Sequence, residues 1–278
     1  MNVFNIQTNE TTYKPGSQVS GILKILRGGG LSLRDISIKV EGKESTTIIK
    51  NEQFTTPDSH TNQTRPVTYT EENAFFHLDL SQFVFNTNEV NEQFYEIPFN
   101  FILPEMSLAS FHSNNVNIFY EITAIWERKW SSNEKQTATF LVAPSVNISS
   151  PQQIKVTGSN NKGIHISLDL ERQAYGRGEP IKGIAKVSDP NNKIRSISFL
   201  LIGTEKVLAK GQSESIIKEQ EQKLRIDLEK DINLNFMIPN NIPFSFTGKI
   251  SAYSYEVDLK GDIALSSDVH AKAGITIS

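Results

Sequence analysis

Residues 13–24 read YKPGSQVSGILK, and residues 175–186 read YGRGEPIKGIAK. Tyr13, Gly16, Gly21, Ile22 and Lys24 return as Tyr175, Gly178, Gly183, Ile184 and Lys186, at a constant offset of 162 residues, and Val19 returns as Ile181. Val19, Gly21, Leu23 and Ile25 share one parity, the pattern of a strand with one buried face. The opening Tyr-to-Gly stretch reads as a turn into that strand, its first glycine permitting a backbone that a side chain would strain. A turn-and-strand unit is therefore present twice.

Two further blocks repeat in the same order. Arg34, Ile36, Ser37, Gly42 and Glu44 return as Arg195, Ile197, Ser198, Gly203 and Glu205 at an offset of 161. Asn100, Phe101 and Pro104 return as Asn235, Phe236 and Pro239, Phe111 as Phe246, and Tyr120-Glu121 as Tyr255-Glu256, all at 135. The Phe-to-Pro element reads as a core strand ended by a residue that cannot donate to a ladder. The offset falls by 26 residues between Gly42 and Phe101, so the first copy carries an extra segment there. Its polar centre, Asn51 to Asn73, has too few apolar residues to bury a face and is expected to be a mobile hairpin or long loop.

Alternation recurs beyond the repeat, as in Ile164, Ile166, Leu168 and Leu170, and in Ile118, Tyr120, Ile122 and Ala124. Turn signals separate the runs: Pro15-Gly16, Gly28-Gly29-Gly30, Asp189-Pro190-Asn191-Asn192 and Pro239-Asn240-Asn241. The best helix candidate is the charged run Glu214–Lys230, although Leu224, Ile226 and Leu228 alternate like a strand. Short strands joined by such turns predict an all-β chain of two tandem immunoglobulin-like β-sandwich lobes, each of seven or eight strands. The 278 residues suit two domains of ~150 residues. Pro, Ser, Asn and Gly gather between Ala143 and Asn161, which places the lobes at 1–148 and 149–278.

Composition excludes several classes of function. The chain has 37% hydrophobic and 21% charged residues, so it is not largely disordered. Its 28 Lys and Arg against 31 Asp and Glu give a net charge of −3, which argues against a general nucleic-acid binder. With no cysteine, disulfides and thiolate chemistry are impossible. The start MNVFNIQTNE lacks a signal peptide's basic and apolar regions, and no stretch reaches the ~20 apolar residues of a membrane helix. A cytoplasmic protein is expected. The Asn-x-Ser/Thr triplets at Asn9, Asn62 and Asn147 are then chance matches.

The chain resembles the arrestins, and most of all the α-arrestins (arrestin-domain-containing proteins). Tyr13-x-Pro15-Gly16-x-x-Val19-x-Gly21 is similar to the family's opening strand motif. Ile97-Pro98-Phe99-Asn100-Phe101-Ile102-Leu103-Pro104, then Ala109-Ser110-Phe111 and Ile118-x-Tyr120-Glu121-Ile122-x-Ala124, resembles its most recognisable signature. Glu127-Arg128-Lys129-Trp130 resembles the α-arrestin Arg-Pro-Trp turn with Lys for Pro. Phe140 through Val142 to Asn147 and Pro151 is similar to the first lobe's exit strand, and Ala174-Tyr175-Gly176-x-Gly178-Glu179-x-Ile181-x-Gly183 to the second lobe's opening. The resemblance implies a non-enzymatic adaptor or scaffold, without cofactors, that binds membrane cargo or trafficking machinery and works in the cytoplasm or peripherally on endosomal or plasma membranes. It also admits a retromer-type arrestin-fold coat subunit, or a stress or sporulation-control regulator of arrestin fold. Three departures narrow it. The first strand, Val3 to Gln7, lacks the paired lysines through which visual and β-arrestins read phosphates; with Ser278 shortly after the last strand, the long regulatory tail is expected to be missing; and Pro-Pro-x-Tyr is absent from these residues.

No motif points to catalysis or to a metal. His60, His77, His112, His165 and His270 form no His-x-His or His-Glu-x-x-His pair, and His77-Leu78-Asp79 offers only two ligands on one strand face. There is no Gly-x-Ser-x-Gly elbow and no phosphate loop; Gly28-Gly29-Gly30 lacks the following lysine, and Gly176-Arg177-Gly178 the third glycine. Adjacent acids such as Glu71-Glu72 point to opposite faces of a strand. Residues 1–150 carry a charge of −5 and residues 151–278 a charge of +2. Lys182 and Lys186 share a parity opposite to Ile181 and Ala185 and should face solvent together. With Arg172 and Arg177 they form the candidate contact for anionic lipid or phosphate. The Leu108-Ala109 and Val207-Leu208 tips are the candidate bilayer-inserting residues.

Overall fold

The computed structural model describes residues 4–26, 32–55, 62–85, 93–128, 132–145, 152–224, 231–264 and 266–278. The chain divides into two compact units. One is Met1–Ser145 with Val207–Ser213 and Gly248–Ser251; the other is Val146–Lys206, Glu214–Thr247 and Ala252–Ser278.

The first repeat holds β1 (Phe4–Thr8), β2 (Thr12–Tyr13), β3 (Gln18–Leu26), β4 (Ile36–Thr55), β5 (Asn62–Asp79), a one-turn helix α1 (Ser81–Phe85), β6 (Phe94–Ile102), β7 (Phe111–His112), β8 (Val116–Trp126) and β9 (Glu134–Val142). They form a three-stranded sheet, β1-β3-β6, and a six-stranded one, β2-β9-β8-β4-β5 with β7 on β8. Alternate residues of both sheets meet in one core. Val19, Leu23 and Ile25 of β3, Ile97 and Phe99 of β6, and Tyr120 and Ile122 of β8 are buried there. Tyr120 packs against Phe75 and Phe140 at ring distances of 5.6 and 5.4 Å.

The second repeat holds β10 (Ile154–Ser159), β11 (His165–Leu170), β12 (Ala174–Tyr175), β13 (Pro180–Ser188), β14 (Ile194–Ala209), β15 (Gln212–Leu224), β16 (Ile232–Met237), β17 (Phe246–Thr247), β18 (Ser251–Ile263) and β19 (Val269–Ile277). Its sheets run β10-β11-β13-β16 and β12-β19-β18-β14-β15, with β17 on β18. The expected strand count of seven or eight is exceeded because the two-residue strands β2, β7, β12 and β17 pair as well. Glu214–Leu224 lies in β15 and not in a helix, and 225–230 fall outside the described residues.

The sequence repeat is a structural repeat. Val19 pairs with Phe101 in one copy and Ile181 with Phe236 in the other. Tyr13 and Tyr175 end short parallel pairings, opposite Val142 and Ile277. Gly16 and Gly178 both stand at φ +78°, a conformation that a β-carbon penalises. Tyr120 donates its hydroxyl to Leu108 O at 2.6 Å, and Tyr255 to Pro243 O at 2.8 Å. Burial raises both tyrosines above the ordinary phenol range.

The additional segment of the first copy is a hairpin with a helix behind it. The β4–β5 ladder runs from Lys39 opposite Asp79 to Thr55 opposite Asn62, with an irregularity at Gly42/Lys43. β4 leaves β8 after Thr46, so residues 47–55 and 62–70 continue as a two-stranded ribbon. Part of the extra length lies in α1. Val84 there is fully buried, the Ile38 amide donates to Ser81 Oγ, and Asp79 Oδ1 accepts the Ser81 amide at 2.8 Å.

Candidate partner-binding surfaces

β1 ends the three-stranded sheet of the first unit, and among the described residues no strand pairs with its outer edge. Phe4 and Ile6 point into the core, while Asn5 and Gln7 are exposed. Asn9 N donates to Ser20 O at 2.9 Å, in register with the β1–β3 ladder. Antiparallel pairs alternate between bonded and non-bonded positions. Asn5 and Gln7 therefore bond to β3, and Phe4, Ile6 and Thr8 turn their N–H and C=O groups to the free edge.

The opposite edge of that sheet carries a proline. Leu103 N donates to Ser17 O at 3.0 Å, which puts the odd positions of β6 in bonded pairs with β3. Pro98 thus occupies an outward position, where its missing N–H blunts the edge. In the second unit, β11 stands where β1 stands in the first: Ile6 faces Leu23, and Leu168 faces Ala185, at the 162-residue offset. There β10 covers the edge, Val156 pairing with Leu168. One repeat covers this edge with its own chain and the other leaves it open. On the face of the sheet that runs from this edge the groups are mostly uncharged: Asn5, Gln7 and Asn9, then Ser20 on β3 and Asn100 on β6, with Lys24 of β3 and Glu96 of β6 paired at 3.0 Å.

The four candidate basic residues of the second unit divide into two sets. Lys182 and Lys186 are exposed on one face of β13, either side of half-exposed Ile184, while Ile181 and Ala185 are buried. Acids share that face. Lys186 pairs with Asp231 at 2.8 Å, and Lys182 lines a shallow depression of about 410 Å³ with Asp169, Glu171, Ile184 and Asn235. Arg172 and Arg177 lie in turns. The Arg172 guanidinium bonds Glu179 at 3.1 Å and sits 4.9 Å from the centre of the Tyr175 ring, and Glu179 also accepts the Gly176 amide. Arg177 is exposed and donates its amide to Ser278 O. Arg172 is thus committed to shaping its turn.

The two candidate bilayer tips do not have that form. Ala109 and Val207 are buried, at 7% and 1% exposure. Apolar residues enclosed in the protein cannot enter a bilayer, and only Leu208 of those tips is a large exposed apolar side chain.

Among the described residues, no group of three His, Asp or Glu could hold a metal ion, and no helix is long and apolar enough to cross a membrane. Lys129, Trp130, Asn147 and Pro151 of the motifs fall outside the described residues, as do Gly28-Gly29-Gly30 and His60. Which strand edge is open is not legible in the sequence, because strand order is not written in a strand's own residues; Pro98 and the amides of β1 are local marks of it.

A family model for the N-terminal domain of arrestin (or S-antigen) matches residues 3–149, and the model for its C-terminal domain matches residues 160–278.

Proposed function

The chain belongs to the arrestin family, and from that premise we propose that it is a non-enzymatic adaptor that recruits partner proteins to membrane trafficking or signalling assemblies from the cytoplasm. Its proposed lobes are 1–148 and 149–278. The observation that carries the reading is the open edge of β1, whose counterpart on β11 is covered by β10. An extended segment of a partner adds there as a further strand, held by the outward backbone groups of Phe4, Ile6 and Thr8. With no cation on β1, the segment is bound through its backbone and through amides, not through phosphate.

Proline substitution tests this reading. Thr8→Pro removes an outward N–H and leaves the β1–β3 bonds in place, whereas Gln7→Pro breaks one of them. Affinity capture followed by mass spectrometry should show partners that wild type retains, before and after phosphatase treatment, and that Thr8→Pro loses. Identical partner sets for the two proteins contradict the reading.

A second reading has a narrower basis. Lys182 and Lys186 share an exposed face, so we also propose a peripheral contact with anionic lipid, weakened by Asp169, Glu171 and Asp231 beside them. Each lysine adds about 1 kcal/mol near a charged membrane, and each acid opposes it. Changing both lysines to Glu should lower sedimentation with phosphatidylserine vesicles at low salt. Equal binding by both proteins, or none by either, removes this contact.

A further inference from the structure

Glu44 on β4 is fully buried, and its carboxylate takes hydrogen bonds from four donors on one short segment. The amides of Lys249 and Ile250 donate to Oε2 at 3.0 and 3.2 Å. The amide and the hydroxyl of Ser251 both donate to Oε1 at 2.6 Å. Glu44 and Gly248–Ser251 belong to the same compact unit. A buried carboxylate is strongly disfavoured unless donors fill its lone pairs, and here they do.

The internal repeat explains why this segment needs a carboxylate from elsewhere in the chain. At the 135-residue offset, Gly248–Ser251 corresponds to Ser113–Val116. Both segments close the same turn: Ser113 N donates to Val116 O, and Gly248 N to Ser251 O, each at 2.8 Å. Both also receive the equivalent strand, through Thr47 N to Asn115 O and Leu208 N to Ile250 O, again each at 2.8 Å. They differ in what accepts the inner amides. Ser113 Oγ accepts from Asn115 N and Val116 N at 3.2 and 3.0 Å, so that turn satisfies itself. Gly248 brings no hydroxyl, and a β-carbon built on it would collide with the Glu44 carboxylate.

We infer that Gly248–Ser251 is a carboxylate-binding nest occupied by Glu44, an intramolecular clasp that fixes the start of β18. Successive backbone N–H groups in a turn form a concavity for an anion, and the missing side chain at 248 is the space that the anion fills. Placement of this segment depends on one acidic side chain that is distant in sequence.

Amide hydrogen exchange at Lys249, Ile250 and Ser251 tests the inference, with the melting temperature as a check on the global fold. In Glu44→Gln, the side-chain NH2 takes the place of one acceptor, so these amides should exchange about tenfold faster or more, as expected for losing bonds to a charged acceptor. Glu44→Ala should do the same. Acetate, which replaces the atoms that this substitution removes, should slow exchange again in Glu44→Ala and leave wild type unchanged. Gly248→Ser alone should destabilise, because its side chain meets the carboxylate. The double variant Glu44→Ala/Gly248→Ser should regain protection, because the new serine caps its own turn. Unchanged exchange in Glu44→Gln overturns the clasp, and so does a double variant no better protected than Glu44→Ala. Failure of acetate to act on a folded Glu44→Ala overturns the nest. If Glu44→Ala does not fold, Glu44→Gln and the double variant decide.

Discussion

Lys43 shows how a single position can hold several charges in place. Its side chain is 17% exposed and reaches Glu121 at 2.6 Å, Glu41 at 3.0 Å and Glu72 at 3.8 Å. The bond to Glu121 holds the ammonium above the ordinary lysine range, against the opposing effect of burial. Lys43 in turn holds Glu41 below the ordinary carboxylate range. The signs follow. The Glu41 contribution is present above its unfolded pKa of about 4.3 and is lost as pH falls through the lower folded value. The Lys43 contribution is present below about 10.4 and is lost as pH rises through the higher folded value. Replacing Lys43 by Met leaves carboxylates facing one another, and should cost about 1–3 kcal/mol near neutral pH. That cost should shrink below about pH 4, where carboxylates take up protons. Urea unfolding at the two pH values checks it, and an equal cost at both contradicts the charge argument. The equivalent tyrosines of the two copies, Tyr120 and Tyr255, offer a parallel test. Tyr120→Phe and Tyr255→Phe each remove one bond to a carbonyl and should each lower stability by about 1 kcal/mol in chemical denaturation.

At the scale of elements, the β4–β5 ribbon separates what the core needs from what it does not. Ile48 is fully buried at its base, and Lys50 Nζ bonds Gln212 Oε1 at 2.8 Å, so the base belongs to the packed unit. Farther out, Phe54 meets the Arg65 guanidinium on a ribbon with exposed Ile49. Replacing Gln53–Thr64 by a short Gly/Ser turn should move the melting temperature by no more than about 4 °C and, if the ribbon carries recognition, remove at least one captured partner. A cut extended to Thr70 would unpair Thr47 and Ile48 and should destabilise. Alternation made most strands legible from the sequence, because a half-buried sheet imposes period two. The ribbon was legible only as hairpin or loop, since its pairing depends on register more than on burial. α1 was not legible: five residues are too few to display a helical period, and Leu80 and Val84 of that region look like any short apolar pair. The charge run at Glu214 suggested a helix because its polar residues hid the alternation of an edge strand.

At the scale of the whole molecule, duplication is the informative feature. The shared blocks make two similar sandwiches legible in the sequence itself, because turn glycines and core aromatics are fixed by packing. Differences between the copies were less legible, since each depends on a partner far away in the sequence. Ser113 against Gly248 has meaning only beside Glu44. The covered edge of β11 has meaning only once β10 is seen on it. Lys182 and Lys186 looked like a basic patch because the sequence lists only neighbours along the chain, while Asp231 reaches Lys186 from another strand. The edge of β1 is where the adaptor reading is most exposed to test, through residue-resolved amide exchange of β1 with and without a partner recovered by capture. In the free protein Asn5 and Gln7 should be protected, while Ile6 and Thr8 exchange fast. In the complex Ile6 and Thr8 should become protected, which is the signature of an added strand. Fast exchange at Ile6 and Thr8 in the complex, or equal protection of all four amides in the free protein, would contradict it.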